Sequence, residues 1–254
     1  MGSSAGRWQG QVVIVTGASS GIGAALSRAY SERGACVALA ARRAERLAET
    51  AAACPGETLS VVCDVTDGEG RRRLVAETLD RWGRIDVLVN NAGCGMYAPF
   101  DEIEEEDFRA LLDVNLIAVL RMTQEVLPIL RAAGRGGIVN IASTGGLIAH
   151  APHLSAYLAA KHAVVGLSRG LRRDLEETGI FVQAVCPHLT DTDFFSTGVG
   201  AEVMHTVADR LRDRMDTARE VAEGTVEQTG SGPFLVFPTE RSRRAYERFR
   251  EGEE

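Results

Sequence analysis

The chain's one lysine, Lys161, stands four residues after Tyr157 in the run Tyr157-Leu158-Ala159-Ala160-Lys161. Its other long cationic side chains are arginines, whose permanent charge and planar fork make them poor substitutes for a compact ammonium. On a helix, positions i and i+4 share a face. The spacing therefore predicts an ammonium beside a phenol, which favours the phenolate and lowers the tyrosine pKa from its usual value of about 10. A phenol poised in this way can donate or accept a proton. Alone, a tyrosine and lysine four apart arise by chance on many helices; the weight of the pair comes from what precedes it.

The run Thr16-Gly17-Ala18-Ser19-Ser20-Gly21-Ile22-Gly23 follows a short apolar segment, Val12-Val13-Ile14-Val15, and opens a segment with helical spacing. Glycine permits a tight turn and a close approach of ligand to backbone. The following helix N-terminus offers free N–H groups and the positive end of its dipole to a pyrophosphate. Strand, glycine turn and helix together form the context that a dinucleotide site requires. Gly17, Ser19, Ser20, Gly21, Ile22 and Gly23 are the expected cradle. The next apolar run ends in Ala40-Ala41-Arg42-Arg43. An acidic residue there would bind a ribose 2′-hydroxyl, whereas arginine accommodates a 2′-phosphate. Arg42, with Arg43 beside it, favours NADP(H) over NAD(H). Asp64, with Val65 following, closes the third run and is placed to accept from an adenine amino group. Asn91, Ala92 and Gly93 close the fourth.

The elements that must position these residues alternate. Further apolar runs lie at Cys36 to Ala40, Leu59 to Cys63, Val87 to Val89, Ile138 to Ile141, Phe181 to Val185 and Phe234 to Phe237. Helical spacing fills Ala24 to Arg33, Arg43 to Ala53, Glu69 to Arg81, Phe108 to Arg131 and Ala156 to Glu177. Continuous apolar strands alternating with helices predict an α/β fold: a doubly wound parallel sheet of about seven strands, helices on both faces, in one domain over residues 1–254. The acidic run Asp101 to Asp107 reads as a helix start, since negative charge is favourable at an N-terminus. Residues 191–214 lack a strong strand signal and read as a mobile lid. Residues 239–254 form a C-terminal extension in which Tyr246 and Phe249 make the apolar stripe of a helix.

Bulk properties narrow the function classes. Net charge is −7 over 254 residues, which argues against nucleic-acid binding. The basic runs Arg71 to Arg73 and Arg241 to Arg244 read as solvated helix faces. Five cysteines, an odd number with no CxxC pair, point to a reducing cytoplasm rather than a disulfide scaffold. No apolar stretch is long enough for a membrane span, and no metal-ligand pattern appears.

Taken together, TGASSGIG at Thr16 to Gly23, NNAG at Asn90 to Gly93, Asn115, Ser143 and the Tyr157/Lys161 pair resemble the short-chain dehydrogenase/reductase family in order and spacing. The resemblance covers residues 9 to 195. It implies a Rossmann-type domain assembled as a homodimer or homotetramer. It also implies roles: Ser143 hydrogen-bonds the substrate oxygen, Tyr157 transfers the proton, Lys161 holds the nicotinamide ribose and tunes Tyr157, and Asn115 supports a proton-relay water through its backbone. Hydride reaching a carbonyl carbon leaves charge on oxygen, and donors aimed at that oxygen stabilise the transition state. The family's Pro-Gly after the sixth strand is here Pro187-His188, while Thr190 and Thr192 retain the expected contacts to the nicotinamide carboxamide. The expected cleft rim includes Cys94, Met96, Thr144, His150, His153, His188, Phe194 and Phe195. It is mostly apolar and lacks a fixed cation, so the expected substrate is a neutral, fairly hydrophobic ketone, aldehyde or secondary alcohol. Two other readings stay open: a catalytically silent dinucleotide sensor, and imine reduction, epimerisation or dehydration on the same residues.

Overall fold

In the computed structural model, residues 6–149, 151–196 and 198–251 are described. The first half alternates strand and helix: β1 Val12–Thr16, α1 Gly21–Glu32, β2 Cys36–Ala41, α2 Ala44–Ala52, β3 Thr58–Val62, α3 Gly68–Trp82 and β4 Val87–Asn90. After a short β5, Gly95–Met96, come α4 Glu105–Leu112, a π-helical turn Asp113–Ile117, α5 Ala118–Ala133, β6 Gly136–Ile141, α6 Ser155–Asp174 and β7 Ile180–Val185. The remainder holds β8 Thr190–Asp191, β9 Gly198–Val199, α7 Ala201–Leu211, β10 Asp216–Thr217, α8 Ala218–Gln228, β11 Leu235–Val236 and α9 Glu240–Arg250.

The main sheet has seven strands in the order β11-β7-β6-β4-β1-β2-β3. Each neighbouring pair is parallel. Parallel strands need crossovers, and the helices that supply them cover both faces, which is why these strands are apolar on both sides. Alternation along β1 shows the consequence. Val13 and Val15 enter a core with Leu26, Tyr30 and Val226, while Ile14 enters a second core with Leu74, Met122 and Leu130. The chain runs outward from β1 to β3, then crosses back to β4 on the other side of β1. That reversal opens a crevice at the carboxyl ends of β1 and β4, the general location for ligands in open α/β sheets.

Within the expected lid segment 191–214, β9 pairs with β5 and α7 follows. Two features depart from the sequence expectations. The helix α8, absent from the expectations, carries a capping box between Thr217 and Glu220. Arg71 is not a solvated charge; it is 8% exposed and donates to the Val65 carbonyl oxygen at 2.7 Å. The C-terminal helix does form, and Tyr246 stacks on Phe237 of the same chain at 5.1 Å between ring centroids.

Candidate functional site

The glycine turn sits at the head of the crevice. Gly17 and Gly21 adopt φ of +67° and +53°, a region that favours glycine. A Cβ on Gly17 would lie 2.8 Å from the Ala92 backbone, and one on Gly23 would overlap the Gly17 carbonyl oxygen. The cradle therefore closes only with glycine at these positions. Ser20 precedes α1 in extended conformation, its side chain makes no cap hydrogen bond, and the first turn of α1 holds no acid. By contrast, α3 is capped by Asp67, α8 by Thr217 and α9 by Thr239. The uncapped N–H groups of α1, the positive dipole end and the lack of Cβ atoms fit a pyrophosphate.

Thr16 fixes the geometry between β1 and β4. Its hydroxyl accepts from the backbone N–H groups of Asn91 at 3.0 Å and Ala92 at 3.1 Å, while the Asn91 amide donates back to the Thr16 carbonyl at 2.9 Å. Ser19 is nearly buried and Ile22 half-buried along the same edge. At the end of β2 the two arginines diverge. Arg43 donates to Ser20 Oγ at 2.8 Å and Ser19 Oγ at 3.3 Å. Arg42 is largely exposed, its Nη1 3.8 Å from Asp64. Although burial pushes against it, the hydrogen bonds from the Thr66 N–H and hydroxyl hold the Asp64 carboxyl below its usual range. Val65 is buried beside it.

Tyr157 and Lys161 share a face of α6, the Nζ lying 5.8 Å from the phenol ring centroid. Lys161 is 5% exposed and donates to the Ile141 carbonyl at 3.0 Å. Ser143 follows β6 in extended conformation and accepts from the Gly145 N–H at 3.0 Å. Its hydroxyl also stands near enough to the Tyr157 phenol to favour the phenol's charged form. This approach depends on Gly146, where a Cβ would lie 2.7 Å from the Lys161 carbonyl oxygen. Asn115 occupies the π-helical turn and is 1% exposed. Its amide donates to the carbonyls of Cys94 at 3.0 Å and Leu111 at 3.1 Å, and its buried Oδ1 has no partner among the described residues. A Cβ on Gly93 would meet that Oδ1 at 2.6 Å and Lys161 Nζ at 3.6 Å. Asn115, Gly93 and Lys161 thus converge on one spot.

The electrostatics differ from the sequence expectation. The Tyr157 pKa is not lowered but pushed up to about 12, by burial above all, with the neighbouring Ser143 hydroxyl opposing. Tyr157 as a whole is half-buried. Lys161 is drawn down from 10.5 to about 8, again by burial. A low-dielectric site disfavours both charged forms, and burial is the leading influence on each group.

The remaining expected residues divide. Pro187 accepts at its carbonyl from the Thr144 N–H at 2.8 Å. Thr190 donates to the His188 carbonyl at 3.0 Å, and the Thr192 side chain would lie 3.1 Å from a Cβ on Gly21, which brings it over the glycine turn. Phe194 meets the Tyr157 ring edge-on at 5.6 Å. Cys94 is half-buried, its thiol pushed up by burial. Thr144 and Met96 do not form the open rim. Thr144 is 1% exposed and hydrogen-bonds His188 Nδ1 at 3.0 Å, and Met96 is buried against Leu111, Ala156 and Ala160. His153 is exposed, in left-handed conformation at φ 62°, with its ring 5.3 Å from Tyr97. His150 and the side chain of Phe195 lie outside the described residues.

Sequence reasoning passed over a buried polar chain beneath the site. Asn90 donates to Asn140 at 2.9 Å, and Asn140 donates to Ser168 at 2.8 Å, tying β4, β6 and α6 together. Polar residues inside otherwise apolar strands were the available signal.

The chain matches the short chain dehydrogenase family model over residues 11–201. It is 40% identical over 221 residues, 83% of this chain and 81% of the relative, to a granaticin polyketide synthase protein of Streptomyces violaceoruber named as a ketoacyl reductase. A sorbitol dehydrogenase of Cereibacter sphaeroides is 39% identical over 77% of this chain and 76% of its own. A Burkholderia phymatum short chain dehydrogenase/reductase, solved in complex with NAD, superposes with a TM-score of 0.87 at 25% identity, covering 97% of this chain and 96% of that one.

Proposed function

The chain belongs to the short-chain dehydrogenase family and is an oxidoreductase of carbonyl and alcohol groups; from that premise, we propose that it is an NADPH-dependent reductase of a neutral, fairly hydrophobic ketone or aldehyde, reversible toward the secondary alcohol. The observation that carries the reading is the convergence of Ser143, Tyr157 and Lys161, with the Ser143 hydroxyl acting on the Tyr157 phenol and Lys161 on the same helix face. A bound nicotinamide supplies the hydride. Ser143 and Tyr157 donate to the substrate oxygen as charge develops there, and Tyr157 transfers its proton. A Tyr157 pKa of about 12 keeps the phenol protonated at neutral pH, the form that acts as acid in the reducing direction. Lys161 holds the ribose and, when charged, draws the proton-depleted phenol toward stability. Asn115, whose Oδ1 has no partner among the described residues and lies near Lys161, supports a proton path to solvent.

Arg42 and Arg43 at the end of β2, with Ala41 where an acid would repel phosphate, support NADPH over NADH. Phe194 against Tyr157, with the half-buried Cys94 beside it, supports an apolar cleft that excludes water. The test is Tyr157→Phe assayed by NADPH absorbance against a panel of apolar ketones. Turnover falls by at least about two orders of magnitude while NADPH Kd stays near wild type. Unchanged turnover rejects the mechanism, and NADPH binding without turnover of any substrate by the wild type favours a sensor.

A further inference from the structure

The base of the segment between β8 and α8 is held by one buried carboxylate. In β10, Asp216 donates its N–H to the Leu189 carbonyl at 2.9 Å and is in parallel register with Thr190. Its side chain is 4% exposed and faces the C-terminal extension. There its Oδ2 accepts from the Thr239 hydroxyl at 2.6 Å, and its Oδ1 lies 3.6 Å from Arg241 Nε. Arg241 also donates to the Met215 carbonyl at 3.1 Å. Thr239 is simultaneously the N-cap of α9, accepting from the Ser242 N–H at 3.1 Å. The same helix entry is pressed against α8, since a Cβ on Gly224 would overlap the Pro238 carbonyl oxygen.

A buried carboxylate is costly unless paired, and an apolar residue would fill β10 at less cost. The retained charge therefore serves a connection. On one side it reaches the strand whose next residues are Asp191 and Thr192, the latter leaning on Gly21 of the dinucleotide cradle. On the other it reaches the first turn of α9. We propose that Asp216 is a positioning residue: through Thr239 and Arg241 it straps the C-terminal helix to β8–β10, and so fixes Thr190 and Thr192 over the cofactor. The cofactor half of this statement rests on the functional reading above.

The test uses the full chain with Thr239→Val, which keeps shape and removes the hydroxyl, and Thr239→Ser, which keeps it; Asp216→Asn is the second perturbation. Hydrogen exchange is read without ligand, and NADPH Kd by fluorescence titration. In Thr239→Val and Asp216→Asn the amides of residues 190–191 and 216–217 exchange faster, while those of β1 and β4 do not. NADPH Kd rises by up to about fivefold, the full worth of one lost hydrogen bond, and Thr239→Ser leaves both at their wild-type values. A lower Tm with unchanged exchange at those amides overturns the strap. Faster exchange with unchanged Kd overturns its link to the cofactor. A wild type that binds neither dinucleotide overturns the functional reading instead, and the exchange arm still decides the strap.

Discussion

Lys161 gives the cofactor-free protein a specific dependence of stability on pH. Its folded pKa is drawn down from 10.5 to about 8 because the ammonium is buried, with the Ile141 carbonyl as its hydrogen-bond acceptor. Between those values the unfolded chain holds the proton that the folded chain has released. Stability therefore rises with pH across this window, relieving a cost that is fully present below about 8. At roughly 1.4 kcal/mol per pK unit, the relief amounts to roughly 3 kcal/mol. Tyr157 acts oppositely above this window: its folded pKa of about 12 exceeds the ordinary 10.0, so its contribution is lost as pH rises through that higher range. The assay is urea unfolding of wild type and Lys161→Met from pH 7 to 10, without cofactor. Other titrating groups cancel in the difference between the two proteins. Relative to Lys161→Met, wild type should gain most of that roughly 3 kcal/mol as pH rises. A difference that stays flat, or that moves the other way, refutes the claim that burial sets the charge of this lysine.

Arg42→Asp puts a carboxylate where the 2′-phosphate is expected, and the ratio of kcat/KM for NADPH over NADH should fall by at least about tenfold, the worth of one charge-assisted hydrogen bond; an unmoved ratio assigns the preference elsewhere. Gly23→Ala should lose about 1–3 kcal/mol in urea unfolding, because the new methyl overlaps the Gly17 carbonyl and backbone must shift. Phe194→Ala uncovers Tyr157 and reduces the burial that raises its pKa, so the alkaline limb of the kcat/KM profile for reduction should move to lower pH. An alkaline limb that stays in place shows that Phe194 does not shield the phenol.

The alternation of apolar runs with helical segments was sufficient for the seven-stranded parallel sheet, because strands buried on both faces and crossover helices are local, periodic signals. The glycine turn, Ser143 and the Tyr157/Lys161 pair were legible for the same reason: their spacing within one strand exit or one helix face fixes their direction. Helix α7 and the pairing of β5 with β9 were not, since two-residue strands carry no periodicity and gain their partners only through the fold. The titration of Tyr157 was read with the wrong sign. Spacing reports which charge stands beside a phenol, but only packing around both groups decides how much water each has lost, and here desolvation leads both titrations. The sequence determined which chemical groups meet; tertiary structure decided their protonation, the burial of Met96 and Thr144 behind the rim, and the contact of β10 with the C-terminal helix through Asp216.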